Sequence, residues 1–283
     1  MMTLEKIDHL NAAVKERLVD FLSPRETHNL FILGNLRRDF PGTHLYAASR
    51  EGRWCGVAGY YEAPKSLCLF SEDREVVRAL VRHVASIHSP IRFVNAIDYV
   101  AQPACEVMAA LGYRLARDPH QVFMETRIPN GAGWAPREGL DKVRLVRESD
   151  GPAVARLVRY ISRPTDESPL TEDEIAKAVL NPLRHVLEIQ GQIVSTASTN
   201  GLGLTAFQIL GVATLPEFRR RGYASAVCAA LMHTMHGQGA QGCVLFTGID
   251  NLSAQRCYER LGFRATGAYY VAEFASGEAP APA

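Results

Sequence analysis

Disulfide and zinc chemistry are the first things this sequence leaves out. Its six cysteines (Cys55, Cys68, Cys105, Cys228, Cys243, Cys257) lie far apart with no CxxC pair, which excludes a zinc ribbon and a dithiol redox motif. They are expected to be reduced and mostly buried. A charge of one sign is also missing. Lys+Arg 31 against Asp+Glu 30 leaves a formal net charge of +1, so no chain-wide field gathers nucleic acid or anionic lipid. Any basic function must be local, and no nucleic-acid partner is expected. No uncharged apolar run approaches the roughly 20 residues that span a bilayer. The start, MMTLEKIDHL, has no apolar stretch after a basic opening. A cytoplasmic protein without a membrane partner is expected.

What is present is ordinary globular material. With 283 residues, 47% hydrophobic and 22% charged, the chain has enough apolar residues for two cores, each large enough to fold unaided. PNGAGWAPREG, residues 129–139, mixes Pro, Gly and Asn without apolar periodicity and reads as a connection. This predicts one domain over 1–129, a linker at 130–140 and a second domain over 141–275. The tail 276–283, SGEAPAPA, offers no large apolar side chain to bury and is expected to be disordered.

The second half parses as an α/β domain. VRLVR at 143–147 alternates like a strand, Ser149 and Asp150 supply N-cap chemistry, and PAVARLVRYI follows at helical spacing. Thr171 and Glu174 form a capping-box pattern. RHVLEIQ and QIVSTAST flank Gly191 as two antiparallel strands, and AFQILGVATL is a third. A long helix is predicted from Arg219, with Ala224, Val227, Cys228, Leu231 and Met235 on one face. GCVLFTG reads as a buried strand, NLSAQRCYERLGF as a helix stopped by Gly262, and TGAYYVAEF as a closing strand.

The first half resembles a worn copy of the second. HLYAASREGRWCGVAGYY turns at Glu51 and Gly52 as the later hairpin turns at Gly191, and LGY at 111–113 echoes LGF at 261–263. Gly52 to Gly191 is 139 residues and Gly112 to Gly262 is 150, so the second copy carries eleven more residues between these anchors. The extra length falls where an Arg-Gly loop stands. In the first copy SLCLFSEDREVVRALVRHV passes from strand to helix with no glycine. Because LG plus an aromatic is a common helix end, coincidence between two α/β domains is the competing explanation.

The chemistry concentrates at residues 214–225, TLPEFRRRGYAS, between a strand and an amphipathic helix. Arg219, Gly222 and Ala224 fit Arg/Gln-x-x-Gly-x-Gly/Ala. A helix start leaves backbone N–H groups unpaired and partly positive, so an anion docks there if no side chain keeps it away. Gly222 and Ala224 permit that approach, and Arg219, Arg220 and Arg221 add charge where two or three phosphates lie. The expected ligand is a diphosphate. Taken alone, the pattern also suits a plain turn beside a solvated arginine run. A second set follows in DNLSAQRCYERLGF at 250–263: Asn251 at a helix start, then Tyr258 two turns on. Both sets sit at the C-terminal ends of what are expected to be neighbouring strands, where diverging strands open a cleft.

With these residues in place, 143–274 resembles the GNAT superfamily of acyl-CoA-dependent N-acyltransferases, the likeness resting on 208–225 and 244–263. The first half resembles the same fold more faintly, without the pyrophosphate loop. The resemblance implies two tandem domains of mixed, mostly antiparallel sheet flanked by helices, with the second one active. It implies that Val212, Ala213 and Thr214 pair backbone groups with the pantetheine arm. The amides of Arg220, Arg221, Gly222, Tyr223, Ala224 and Ser225 then hold the pyrophosphate, Asn251 contacts the cofactor, and Tyr258 faces the sulfur. The cofactor so implied is acetyl-CoA or another short acyl-CoA, and the acceptor a small-molecule amine or a protein amino group.

Direct attack on a thioester needs a neutral amine, oxyanion stabilisation and help for the departing thiolate. Tyr258 suits the last role. A phenol near pKa 10 lies above a thiol near 8.5, so full proton transfer is uphill by roughly 2 kcal/mol. Tyr258 is therefore a hydrogen-bond donor that becomes a proton donor only where the site lowers its pKa; its alternative is a core aromatic. Anchor alignment puts Met108 at that place in the first copy. The oxyanion is expected near Val212, with Gly211 permitting a bulge. Glu188, Asp166, Glu167 or a water chain are the candidate bases, since Gln208 cannot accept a proton usefully. Cys257 is read as a structural thiol, there being no histidine in its motif. His233 and His236 are read as exposed, with no metal, and Gly201 and Gly203 as a hairpin loop. Two other functions compete: an inactive CoA-binding regulatory or scaffolding module, and a nucleic-acid binder using Arg219–Arg221, which the balanced charge disfavours.

Overall fold

A computed structural model describes residues 1–128, 140–162 and 165–275. The expected linker at 130–140 lies almost entirely outside these residues, and the expected disordered tail entirely so. The chain runs twice through one order of elements. The first pass is β1 (Met2–Lys6), α1 (Ala12–Leu22), α2 (Leu30–Arg37), β2 (Thr43–Arg50), β3 (Arg53–Tyr61), β4 (Ser66–Phe70), α3 (Arg74–Ile87), β5 (Phe93–Ile97), α4 (Asp98–Ala110) and β6 (His120–Arg127). The second is β7 (Val143–Leu145), α5 (Gly151–Ser162), α6 (Glu172–Val179), β8 (His185–Ile189), β9 (Gln192–Leu202), β10 (Ala206–Thr214), α7 (Tyr223–Gly237), β11 (Gly242–Gly248), α8 (Leu252–Glu259) and β12 (Arg264–Glu273).

The anchors of the internal repeat are structural as well as textual. Both hairpins turn on two consecutive residues of positive φ, Glu51 and Gly52 in one and Gln190 and Gly191 in the other, which is the turn whose twist matches its flanking strands. Both LG-aromatic helix ends close alike. Tyr113 N donates to Met108 O at 3.0 Å, and Phe263 N to Tyr258 O at 3.1 Å. Gly112 and Gly262 take φ of 85° and 91°, as a glycine after a helix end does. Met108 thus occupies in the first copy the helical position that Tyr258 holds in the second.

Two compact units emerge, and neither is a contiguous half of the chain. One comprises Met1–Met124, Phe246–Asp250 and the chain from Ala265; the other comprises Glu125–Leu245 and Asn251–Arg264. The closing strand crosses over from the second pass to the first unit. In the first unit the strand order is β1-β2-β3-β4-β5-β12, and β12 lies antiparallel to β5 from Tyr269↔Ile97 to Glu273↔Phe93. Tyr269 stacks on Phe246 with centroids 4.6 Å apart and lies 5.9 Å from Phe123. A segment from the end of the chain therefore completes this core.

The second unit carries β11-β10-β9-β8-β7, antiparallel except for the β10–β11 pair. One face of its sheet is covered by α5 and α6, where Val154, Leu157 and Ala178 pack with Val186, Ile193 and Ala213. The capping box of α6 forms as expected: Glu174 N donates to Thr171 Oγ1 at 3.2 Å and Thr171 N to Glu174 Oε2 at 2.9 Å. α7 is buried nearly all round, with Val227, Cys228, Leu231 and Met235 fully enclosed, a broader burial than the single expected face. β9 runs on through Gly201 to Leu202, so only Gly203 of the two glycines belongs to the hairpin loop. The cysteines are free and half-buried or buried. Among the described residues no helix is long and apolar enough to cross a membrane, and no cluster of His, Cys, Asp or Glu could hold a metal ion.

Candidate active site

β10 and β11 pair in parallel only from Ala206↔Gly242 to Gln208↔Val244. β10 then continues to Thr214 against β9. Within that stretch the register slips: Leu210 faces Ser198 but Ala213 faces Thr196, so Gly211 and Val212 together oppose Ala197. This is the bulge expected from the sequence, and Gly211 takes the φ of 61° that it requires. Farther along, the backbone is partly committed. Ser195 Oγ donates to Ala213 O at 2.9 Å and Arg219 Nε to Thr214 O at 3.2 Å.

The long helix does not begin at Arg219. A 3₁₀ turn at Pro216–Phe218 comes first, and α7 starts at Tyr223. Arg220 and Gly222 have φ of 61° and 79°, left-handed values that a right-handed helix cannot absorb. The result is a loop that curls before the helix. Gly222 stands at the N-cap with no side-chain cap. A Cβ placed there would meet nothing within 4 Å. Ala226 N bonds Gly222 O at 3.0 Å, whereas among the described residues nothing accepts from the amides of Gly222, Tyr223, Ala224 or Ser225. They stand at the positive end of a 15-residue helix, with Gly222 exposed, Ala224 half-buried, and Tyr223 and Ser225 buried.

The three arginines divide their work. Arg221 Nη2 donates to Glu217 O at 3.1 Å, and its guanidinium lies 5.4 Å from the Phe218 ring centroid. The Arg219 guanidinium lies 5.2 Å from the Tyr160 ring centroid. Both brace the loop while leaving their charge beside it, and all three arginines are exposed. The first copy differs at the matching helix start. There Asp73 caps α3, its carboxylate accepting from Glu75 N at 2.8 Å and Val76 N at 3.4 Å and pairing with Arg50 at 2.5 Å. A protein carboxylate already fills the position an anion would take.

Asn251 caps α8, its Oδ1 accepting from Ala254 N at 3.2 Å; the amide nitrogen is left for another partner. Tyr258, on α8, is 7% exposed and meets Phe263 edge-on at 6.0 Å. No group among the described residues bonds its hydroxyl. Burial pushes that hydroxyl well above the ordinary phenol value, with Cys228 and Cys257 adding to the rise. Desolvation thus shifts this pKa away from the lowering that proton donation would require and leaves Tyr258 the hydrogen-bond-donor role. Tyr258 keeps its proton. Cys257 Sγ lies 3.2 Å from Ser225 Oγ, tying α8 to the start of α7, in keeping with a structural thiol. His233 is exposed and His236 Nδ1 bonds Ala240 O at 3.1 Å.

The candidate bases fare poorly. Glu188 is held by Arg144 at 2.7 Å, and Arg144 also grips buried Asp150 at 2.7 Å. Along the sheet Leu187 aligns with Ser195 and Ser195 with Thr214, which puts Glu188 just past the Thr214 end of β10, two strands away from it. Asp166 accepts from Ser168 N at 3.0 Å and Ser168 Oγ at 2.6 Å. Glu167 is exposed.

Residues 155–263 match the Acetyltransferase (GNAT) family model, and this segment is a GNAT acetyltransferase-family domain. Solved structures share the mixed, mostly antiparallel fold over nearly the whole chain. A Drosophila protein aligns with TM-score 0.65 at 13% identity, covering 95% of this chain and 98% of its own. A GCN5-related N-acetyltransferase from Sphaerobacter thermophilus aligns with TM-score 0.60 at 16% identity, covering 95% and 94%. A tandem GNAT protein from the clavulanic acid biosynthesis pathway aligns with TM-score 0.55 at 14% identity, covering 97% and 98%. At these identities the likeness is one of fold. In sequence, N-alpha-acetyltransferase 30 of Schizosaccharomyces pombe is 42% identical over 52 residues, which is 18% of this chain and 35% of that protein. The matched stretch spans about a third of that relative's length.

Proposed function

We propose that the second copy transfers an acetyl or other short acyl group from acyl-CoA to a primary amine, of a small molecule or a protein, by direct attack. The thioester supplies the activated acyl group. The observation that supports this reading is the uncapped start of α7, where four amides lack acceptors among the described residues and the exposed Gly222 has open space beside it. They suit a doubly charged pyrophosphate, and Arg219, Arg220 and Arg221 add charge beside it. Val212, Ala213 and Thr214 then line the pantetheine arm, with the bulge turning a backbone amide toward the acyl oxygen, and the amide nitrogen of Asn251 contacts the cofactor. The neutral amine nitrogen bonds the carbonyl carbon, the carbon–sulfur bond breaks, the proton shed by the nitrogen passes through a water chain to solvent, and CoA leaves as a thiolate that Tyr258 meets as a hydrogen-bond donor until solvent protonates it. The first copy serves as a non-binding partner domain, because Asp73 occupies its helix start and Met108 holds the place of the tyrosine.

Ala224→Asp tests the reading cleanly. An acidic residue in the first turn of a helix is favourable for the fold, yet here it places a negative charge where the pyrophosphate lies. CoA affinity measured by calorimetry should fall at least about tenfold with no drop in melting temperature. Unchanged CoA affinity would remove the loop from cofactor binding. Saturable CoA binding with no transfer to any of a broad panel of amines would instead favour an inactive CoA-binding module.

A further inference from the structure

Arg184, the residue before β8, is an unneutralised cation inside the second unit. It is 7% exposed, and its Nε is sealed from solvent without a partner. Among the described residues the one hydrogen bond of its guanidinium runs from Nη1 to Thr196 Oγ1 at 3.4 Å, and that hydroxyl already donates to His185 O at 2.9 Å. Among the described residues no carboxylate comes within ion-pair distance. Burial lowers the pKa of the guanidinium below its usual value. An arginine has five donors and stays charged in proteins, so one long bond leaves most of its capacity unused. Buried charges are ordinarily paired.

The place is as informative as the charge. Arg184 precedes His185, which pairs with Ala197, and Ala197 lies opposite the bulge formed by Gly211 and Val212. Neighbouring strands are about 4.8 Å apart, so the side chain reaches across β9 to β10. A Cβ built on Gly211 would stand 3.6 Å from Arg184 Nη1. The reach is held from behind. Arg184 N bonds Asn181 O at 3.1 Å, Leu183 N bonds Asn181 Oδ1 at 2.9 Å, and Asn181 Nδ2 bonds Ser198 Oγ at 3.2 Å as well as Thr199 O. A braced turn thus presents a planar, donor-rich fork beside the bulge, the shape that carboxylates bind in pairs of bonds.

We propose that Arg184 receives a carboxylate carried by the small ligand at the bulge of β10: the acceptor's own carboxylate, as in an amino acid, or the distal carboxylate of a dicarboxylic acyl thioester. The reading of the bulge as the acyl end of the site rests on the proposed function; the need of Arg184 for an anion does not. The partner is a carboxylate and not a phosphate because the fork sits away from the α7 start, with a single guanidinium to offer.

The test uses the full chain and Arg184→Met, which keeps the volume and removes the charge. In thermal-shift titrations at constant ionic strength, glycine, N-acetylglycine and succinate should raise the wild-type melting temperature saturably. Glycinamide and succinamide should not. Arg184→Met should melt no lower than wild type and lose the carboxylate response. An equal response in the variant, or none in the wild type, overturns the proposal whether or not CoA binds. Initial rates then separate the two sources. An amino-acid acceptor shows as at least a tenfold preference in kcat/KM over its carboxamide with acetyl-CoA. A dicarboxylic acyl group shows as the same preference for succinyl-CoA over acetyl-CoA with one fixed amine. In either case Arg184→Met abolishes the preference. Transfer that proceeds with both ratios near one sinks the Arg184 assignment and leaves the transferase standing. Absence of CoA binding sinks the transferase and leaves the thermal shifts to judge Arg184.

Discussion

Tyr258 shows how much a single side chain owes to its surroundings. In sequence it is one aromatic on a short helix; in the structure its ring is enclosed, while its hydroxyl, without a protein partner among the described residues, is not sealed from solvent. Tyr258→Phe should lower turnover by roughly 10²- to 10⁴-fold with CoA affinity nearly unchanged. An unaltered rate would return the residue to the core. The pH sign follows from the direction of its shift. A phenol whose folded pKa is raised remains a donor below that value and is lost as pH rises through it. No alkaline loss of rate attributable to Tyr258 should therefore appear below about pH 10, and a limb near pH 8 that vanishes in Tyr258→Phe would contradict this. Arg184 is the opposite case at the same scale. The sequence shows a basic residue opening an apolar strand, a common arrangement. Only the slipped register of β10, far along the chain, makes that residue unusual.

Elements carry the next layer of determination. The capping box of α6, both hairpin turns and the LG-aromatic helix ends were legible because each depends on a few adjacent residues whose local conformations are restricted. The start of α7 was misplaced by four residues, since helical periodicity continues back to Arg219 while the positive φ of Arg220 and Gly222 does not show in composition. Between β8 and α7 a buried histidine makes a joint the sequence did not announce. His185 Nδ1 bonds Leu183 O at 3.0 Å and its Nε2 meets Thr234 Oγ1 at 3.0 Å. A carbonyl partner requires the hydrogen on Nδ1, and burial holds the pKa of the ring below the ordinary 6.5. The folded state then binds fewer protons than the unfolded one near pH 6. Stability from this group is full above the unfolded pKa of about 6.5 and is lost as pH falls through the folded value. Urea midpoints between pH 7 and 5 should fall less steeply for His185→Asn, which keeps a donor for Leu183 O. An identical slope would show that His185 does not titrate across this range.

At the scale of the molecule the closing strand decides what can stand alone. β12 completes the sheet beside β5 and brings Tyr269 onto Phe246 and Phe123, so neither half of the chain contains a whole unit. A fragment of residues 141–275 should consequently fail to fold cooperatively, showing a weak near-UV circular dichroism signal and aggregation. A soluble fragment with a sharp thermal transition would show that the second copy is self-sufficient after all. The first copy supplies the strand β5 to which the end of the chain is bound.

What the sequence by itself determined were features written in neighbouring residues: the alternation of strands and helices, the turns, the glycine-permitted bulge, and a helix start with small side chains where a diphosphate could rest. Those are short-range consequences of backbone sterics and hydrogen bonding. Only the tertiary structure decided that the last strand joins the first unit, that burial raises the Tyr258 hydroxyl, and that Arg184 reaches the bulge without a counter-charge. Each of these depends on register between distant strands and on the exclusion of water, and a one-residue slip in pairing would alter all three while leaving the local pattern of the sequence unchanged.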